Sequence, residues 1–270
     1  MKIRKAEASD KAAIIEMTKN TWDDGDYIKH VFDKWLAAPG EFTILEDQDM
    51  IVGCTKLTVI KPGCLWLEGI RVRPEMRRKG YAKVLADYQL NLAKTMGFDH
   101  LGLSTWYQNE SVKMLVHYPF DCISKYKVLT YDLDLAGSHD ITPVKDYQRV
   151  IDYFTPYLNG DYYACDWTFF TLDPTMIKTF FDRGEIYRHQ DHLAIISDLY
   201  NKEKSLSIVY AHHVDQDLLD LSRALKIHKK KDYVMTMSKD QKIIDDLMDL
   251  GFEGYDQEVR DVYLYDYKDA

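Results

Sequence analysis

The chain has 270 residues, 46% of them apolar and 13% aromatic, enough to build the cores of two compact domains. Its formal charge of -9 is unevenly placed: residues 1–135 hold 19 basic and 19 acidic side chains, residues 136–270 hold 16 and 25, which disfavours a nucleic-acid partner and marks the halves as different modules. No run approaches the roughly 20 apolar residues of a membrane span, Met1-Lys2-Ile3-Arg4-Lys5 enters a strand without a signal-peptide core, and Cys54, Cys64, Cys122 and Cys165 form no C-x-x-C pair, so a folded cytoplasmic protein with free thiols and no structural zinc is expected.

In chain order, a short strand is predicted at Ile3 to Lys5, and Ser9-Asp10 can cap a helix carrying Ala12, Ile14, Ile15 and Met17. A second helix over Tyr27 to Leu36 is stopped by Pro39-Gly40. Phe42 to Glu46 and Ile51 to Ile60 read as strands around the polar turn Asp47-Gln48-Asp49, and Lys61-Pro62-Gly63 turns into the strand Leu65 to Val72. After it comes the basic turn Arg77-Arg78-Lys79-Gly80, and Val84, Leu85, Tyr88, Leu92 and Ala93 then recur at helical spacing. Leu101 to Thr105 is the next strand, a helix starts near Asn109, and Cys122 to Leu133 is expected to close the first sheet.

The order strand, basic glycine turn, helix places Arg77, Arg78 and Lys79 at the helix start, where free N–H groups and the positive dipole end make an anion site. It is neither a Walker A loop nor a dinucleotide fingerprint, since it lacks the Gly-Lys-Ser/Thr end and the three glycines. A solvated basic turn on a surface helix is the alternative.

The spacing Arg77-x-x-Gly80-x-Ala82 resembles the acyl-CoA pyrophosphate loop, R/Q-x-x-G-x-G/A, of the GCN5-related N-acetyltransferases, and Val72-Arg73-Pro74-Glu75 resembles the run into it. The resemblance covers roughly residues 1–134. Asn109 through Leu115 to Pro119-Phe120 resembles the family's later N-x-x-A-x-x-L-Y-x-x-x-G-F segment, with Val116 in place of the tyrosine that is often the general acid and Pro119 in place of the glycine. The resemblance implies that Ile70, Arg71, Val72, Arg77, Arg78, Lys79, Gly80, Tyr81, Ala82 and Asn109 contact acetyl-CoA, the amides of Ile70 and Val72 binding its pantetheine arm. Glu68 is the base candidate because strand alternation puts it on the face of Ile70 and Val72, although it could instead pair with Arg71 or Arg73. Tyr118 and Tyr107 are the acid candidates, or ordinary half-buried tyrosines. Gly69 permits a bulge or marks close packing, and Asn109 could equally cap its helix.

Beyond Gly137 the elements start again. Helices are predicted over Lys145 to Leu158, Thr175 to Phe181, Asp217 to Ile227 and Gln241 to Leu250, with strands at Trp167 to Leu172, Glu185 to Arg188, Leu193 to Leu199, Leu206 to Tyr210, Tyr233 to Thr236 and Val259 to Tyr265. Leu247 to Phe252 looks like a second copy of the family's helix-ending segment, so residues 136–270 resemble a diverged acetyltransferase-like domain. Their crossover, Val209 to Asp220, has no glycine or arginine in its turn, and Asp215, Asp217 and Asp220 occupy the field a phosphate would use. His212-His213 suggests no metal site, since adjacent strand residues face opposite ways and no Cys/His set completes it.

The fold class expected is therefore α+β, with two acetyltransferase-like domains (1–135 and 136–270), each a mixed, mostly antiparallel sheet flanked by helices. The function the resemblance implies is transfer of an acetyl group from acetyl-CoA to a primary amine by direct attack, with a small amine or amino acid as acceptor. The alternative is a non-enzymatic CoA-binding or interaction module. No metal, nucleic-acid or membrane partner is expected, and the two halves would form an intramolecular pseudo-dimer compatible with a monomer in solution. Tyr153, Tyr157, Tyr162, Tyr163 and Trp167 supply an aromatic wall for a cationic acceptor, or core.

Overall fold

The computed structural model describes residues 1–22, 25–132, 139–255 and 260–268; the domain boundary expected at residues 135–136 lies outside them. In chain order the elements are β1 (Lys2–Lys5), α1 (Lys11–Thr18), α2 (Ile28–Ala37), β2 (Gly40–Asp47), β3 (Met50–Lys61), β4 (Cys64–Val72), α3 (Tyr81–Met96), β5 (His100–Trp106), α4 (Glu110–Leu115) and β6 (Phe120–Tyr131). They continue with α5 (Tyr147–Phe154), β7 (Tyr162–Cys165), β8 (Thr168–Thr171), α6 (Pro174–Asp182), β9 (Ile186–His189), β10 (His192–Ser197), β11 (Ser205–Tyr210), α7 (Gln216–His228), β12 (Tyr233–Ser238), α8 (Gln241–Asp249), β13 (Glu253–Gly254) and β14 (Val262–Tyr267). The chain divides into two compact units. The first comprises Met1–Leu103, Lys113–Asp121 and Asp266–Ala270, the second Ser104–Val112 and Cys122–Tyr265.

In the first unit the strands run in the order β1-β2-β3-β4-β5. The first three pairings are antiparallel, and β4 pairs with β5 in parallel. A parallel neighbour needs a crossover, and α3 is that crossover. One side of the sheet is filled by Ile14, Ile28, Val31, Phe32 and Trp35 of α1 and α2 against Phe42 and Ile44 of β2. On α3, Leu85 joins Leu45, Val52 and Tyr81, while Leu90 and Ala93 join Leu57, Leu65 and Leu101. The spacings of four, five and three residues from Tyr81 through Leu85 and Leu90 to Ala93 turn one helical face inward.

Among the buried polar side chains of this unit is a lysine, Lys56, fully buried on β3. Its ammonium donates to the carbonyls of Ala38 (3.3 Å) and Pro39 (3.2 Å) just past the end of α2. Burial pushes Lys56 down to about 8, against the opposing charges of Glu68 and Glu41.

In the second unit the order is β14-β6-β12-β11-β10-β9. Strands β9, β10 and β11 are antiparallel neighbours, β11 and β12 are parallel around the crossover α7, and β12 is antiparallel to β6. Strands β7 and β8 form a separate hairpin. The core gathers Leu129, Leu206, Ile208, Leu218, Leu221, Leu225, Val234, Ile244 and Leu247. Both units are mixed, mostly antiparallel sheets flanked by helices, the α+β class the sequence predicts. Among the described residues no helix is long and apolar enough to cross a membrane.

One expected pairing is corrected. Residues from Cys122 onward were to close the first sheet, whereas β6 pairs with β12 and β13 in the second unit. The reason lies in its side chains: Leu129 and Tyr131 enter the second core, and Tyr126 packs on Phe169 with ring centroids 4.7 Å apart. The described helices of the second half, α5, α6, α7 and α8, each begin on an aspartate whose carboxylate accepts from main-chain N–H groups of the first turn: Asp146, Asp173, Asp215 and Asp240. Part of the acidic surplus of residues 136–270 is thus helix capping.

Candidate functional site

The site begins on β4. Cys54 faces Arg71 and Lys56 faces Glu68 across the β3–β4 pair, so Gly69 and Ile70 together oppose Thr55 alone. This is a bulge, with Gly69 at φ +66°, a conformation that favours glycine. Both readings of Gly69 apply, because the ring of Trp35 also lies directly over it. Past the bulge, the Arg73 N–H donates to the Val52 carbonyl at 2.9 Å. Strand alternation therefore turns the Val72 N–H away from β3. Strand β4 pairs with β5 over Cys64 to Trp66 against His100 to Gly102, upstream of Glu68 to Val72.

The Arg71 side chain is turned elsewhere. Its Nε donates to Asp26 at 2.6 Å, Asp26 is held by the Ile28 N–H at 3.0 Å, and the guanidinium lies 5.1 Å from the centre of the Tyr27 ring. Arg73 lies 3.5 Å from Glu75. Arg71 thus pairs with Asp26 and Arg73 with Glu75, carboxylates other than the Glu68 that served as the alternative. Glu68 accepts from the Thr58 hydroxyl at 2.6 Å and is half-buried.

The turn after β4 is a short 3₁₀ segment, Pro74–Met76, followed by Arg78 at φ +60° and Gly80 at φ +87°. Gly80 is the N-cap of α3, and no side chain caps that helix. The Val84 N–H is bonded to the Gly80 carbonyl at 3.1 Å, so the N–H groups of Tyr81, Ala82 and Lys83 precede the first intrahelical bond. A Cβ built on Gly80 would meet nothing within 4 Å. Arg77, Arg78 and Lys79 are exposed, and among the described residues none of them pairs with a carboxylate. Arg77 instead reaches the Val72 carbonyl at 3.4 Å, and Lys79 the Met76 sulfur at 3.3 Å. The Tyr81 phenol is committed to Asp47 at 2.5 Å, which leaves its main chain as the group facing the turn.

Tyr118 packs against α3: its hydroxyl donates to Asp87 at 2.8 Å and lies 3.5 Å from the Lys83 carbonyl. Burial pushes this phenol up, and the bond to Asp87 adds to the effect. Val116 is 76% exposed. The first unit thus holds Glu68, Ile70, Arg71, Val72, the Arg77-to-Ala82 turn and Tyr118, whereas Tyr107 and Asn109 belong to the second. The Tyr107 hydroxyl accepts from Gln108 at 2.5 Å, and its ring stands 6.3 Å from that of Tyr263. The Asn109 carbonyl oxygen accepts from the Ser111 N–H at 3.2 Å, a capping contact for α4.

Sequence reading missed Thr58, Asp26 and Lys56, and no local signal marks the first two. Lys56 carried one: a lysine inside the apolar run from Ile51 to Ile60 is costly unless bonded. His192 was also missed beside His212 and His213, although the β10–β11 register that pairs Ile195 with Tyr210 brings residue 192 opposite residue 213 when continued.

Residues 10–115 match the profile of the acetyltransferase (GNAT) family. No curated protein sequence matches the chain. Among solved structures it is similar to a proposed acetyltransferase of Thermoplasma acidophilum, at 13% identity over 100% of both chains with a TM-score of 0.64, and to another of Pyrococcus horikoshii, at 10% identity over 100% of this chain and 89% of that one with a TM-score of 0.66. It is also similar to a fungal multi-domain GH3 β-N-acetylglucosaminidase with a GCN5-related glucosamine N-acetyltransferase region, at 13% identity over 99% of this chain and 38% of that one with a TM-score of 0.64. At such identities the likeness is one of fold. The segment from α1 to α4, with the bulged strand and the basic turn inside it, is the part of the chain that the acetyltransferase (GNAT) family profile matches.

Proposed function

We propose that the protein is an acetyl-CoA-dependent N-acetyltransferase acting on a primary amine, with residues 1–135 carrying the chemistry and residues 136–270 a diverged acetyltransferase-like domain without a pyrophosphate loop. The observation that carries this reading is the start of α3: an uncapped helix N-terminus, open space at Gly80 and three exposed cations that pair with no carboxylate among the described residues. A diphosphate supplies the missing acceptors and counter-charges. At the corresponding crossover of the second half, the helix start already has a carboxylate cap, since Asp215 accepts from the Leu218 N–H at 2.9 Å, and a second carboxylate, Asp217, stands in the first turn.

In the proposed reaction the amine nitrogen attacks the thioester carbonyl, with Glu68 taking the ammonium proton directly or through water. The N–C bond forms, the C–S bond breaks, and the departing thiolate takes a proton from Tyr118, Tyr107 or solvent. Main-chain N–H groups of Ile70 and Val72 hold the pantetheine arm and polarise the carbonyl. Arg71 contributes through its main chain, since its side chain is held by Asp26, and the side-chain amide of Asn109 contacts CoA beyond the capping bond. A small amine or amino acid is the acceptor favoured by the acidic second half. The exposed Val116 at the family's tyrosine position favours a second reading, a CoA-binding module without turnover.

The test is release of free CoA thiol, corrected for hydrolysis, with spermidine, glucosamine, free amino acids and a lysine peptide. Glucosamine belongs in the panel because the similar fungal region is described by that activity. Acceptor-dependent release with an acetylated product supports the enzyme. Tight acetyl-CoA binding with no product across the panel supports the binding module.

A further inference from the structure

Three histidines of the second unit converge where the sequence offered only a pair. His192 opens β10, and His212 and His213 follow β11 in the turn before α7. One ring nitrogen from each lies within 4.8 Å of those of the other two. The His192 and His212 rings stack at 4.1 Å, and His213 stands edge-on to both, at 4.8 and 4.4 Å. We propose that His192, His212 and His213 form a binding site for a divalent transition metal of the zinc type, with three imidazole ligands and coordination positions open to solvent.

Chemistry selects the ion class. A set of imidazoles with no carboxylate in it suits zinc, copper, cobalt or nickel and not the oxygen-seeking magnesium or calcium. Three protein ligands with a free position is the arrangement of a reactive, not a closed structural, zinc centre. Bonds of about 2.0–2.1 Å to one ion require the nitrogens to close up. His213 is exposed and the other two are no more than half-buried, so ring rotation can do this.

A second observation supports the site. The Tyr153 hydroxyl lies 3.2 Å from His192 Nδ1, which engages one ring nitrogen and leaves Nε2 for the metal, as outer partners of metal-bound histidines do. Below the turn, Asp215 is fixed by His189 at 2.9 Å and Gln190 at 2.8 Å, so the base of the two-histidine segment is anchored. Strand alternation does not separate His212 from His213, because they follow the last residue of β11.

The test uses the full, untagged chain stripped of metal and titrated with Co²⁺, read by its visible ligand-field absorption, and with Zn²⁺ in competition. One equivalent per chain with low-symmetry cobalt bands is expected. His212→Ala/His213→Ala should weaken binding by about tenfold or more, with an unchanged circular dichroism spectrum since both side chains reach solvent, and Tyr153→Phe by about tenfold. His117→Ala should change nothing. Absence of a saturable equivalent, or equal affinity in the double variant, overturns the proposal.

Discussion

A Cβ added to Gly69 would lie 2.2 Å from Cη2 of Trp35. Trp35 is only 4% exposed and is boxed edge-to-face by Tyr27 and Phe42, at 5.9 and 5.3 Å, so it cannot move aside cheaply. The bulge that aims the end of β4 is therefore locked by a helix side chain 34 residues upstream. Gly69→Ala combines overpacking with a left-handed backbone, which together cost about 2–4 kcal/mol. Urea unfolding should show that loss, and a change below about 0.5 kcal/mol, the scatter of neutral surface substitutions, would contradict the packing account.

Gly80 makes the opposite prediction. It shares a positive φ, but nothing lies within 4 Å of its Cβ position. Gly80→Ala should cost only about 1–2 kcal/mol of stability, from the backbone alone, while weakening acetyl-CoA binding by about tenfold because the methyl occupies the diphosphate's space. Unfolding and calorimetric titration of the same variant separate the two effects.

Lys56 predicts a pH dependence of stability. Its folded value of about 8 lies below the ordinary 10.5, so between those values the unfolded chain binds a proton that the folded chain does not, and stability rises with pH across that window. Below pH 8 the full penalty, about 3 kcal/mol, is present. Lys56→Met should flatten the rise. Unfolding free energies at pH 7.5 and 10.5 for both proteins provide the check, and parallel curves would refute it.

Asp261 is fully buried, 3.2 Å from the Lys127 ammonium, and accepts from the Val128 N–H at 2.8 Å. Asp261→Ala removes the carboxylate beside a buried ammonium and leaves the Val128 N–H without its acceptor, and should cost about 3–5 kcal/mol. Lys127→Met/Asp261→Leu should recover part of the loss. Equal destabilisation by the single and double changes would show that the N–H contact, and not the ion pair, matters.

The parts of this fold that depend on neighbours in sequence were legible. Strand β4, the basic turn and the start of α3 follow from an apolar run, a proline, a glycine and a helical period, all within 33 residues. What was not legible depends on distant partners. Nothing near Arg71 says that Asp26 will take its guanidinium, and nothing near Gly69 announces Trp35. Strand β6 carried the right pattern but chose β12, because alternation specifies a face and not a neighbour.

The central claim is that α3 begins with an anion site and α7 does not. Calorimetric titration of acetyl-CoA into the full chain and two variants tests it most directly. Arg77→Glu places a carboxylate beside the diphosphate and should abolish measurable binding, while Asp217→Ala should leave the affinity and a stoichiometry of one unchanged. Binding retained in Arg77→Glu and lost in Asp217→Ala would contradict the account.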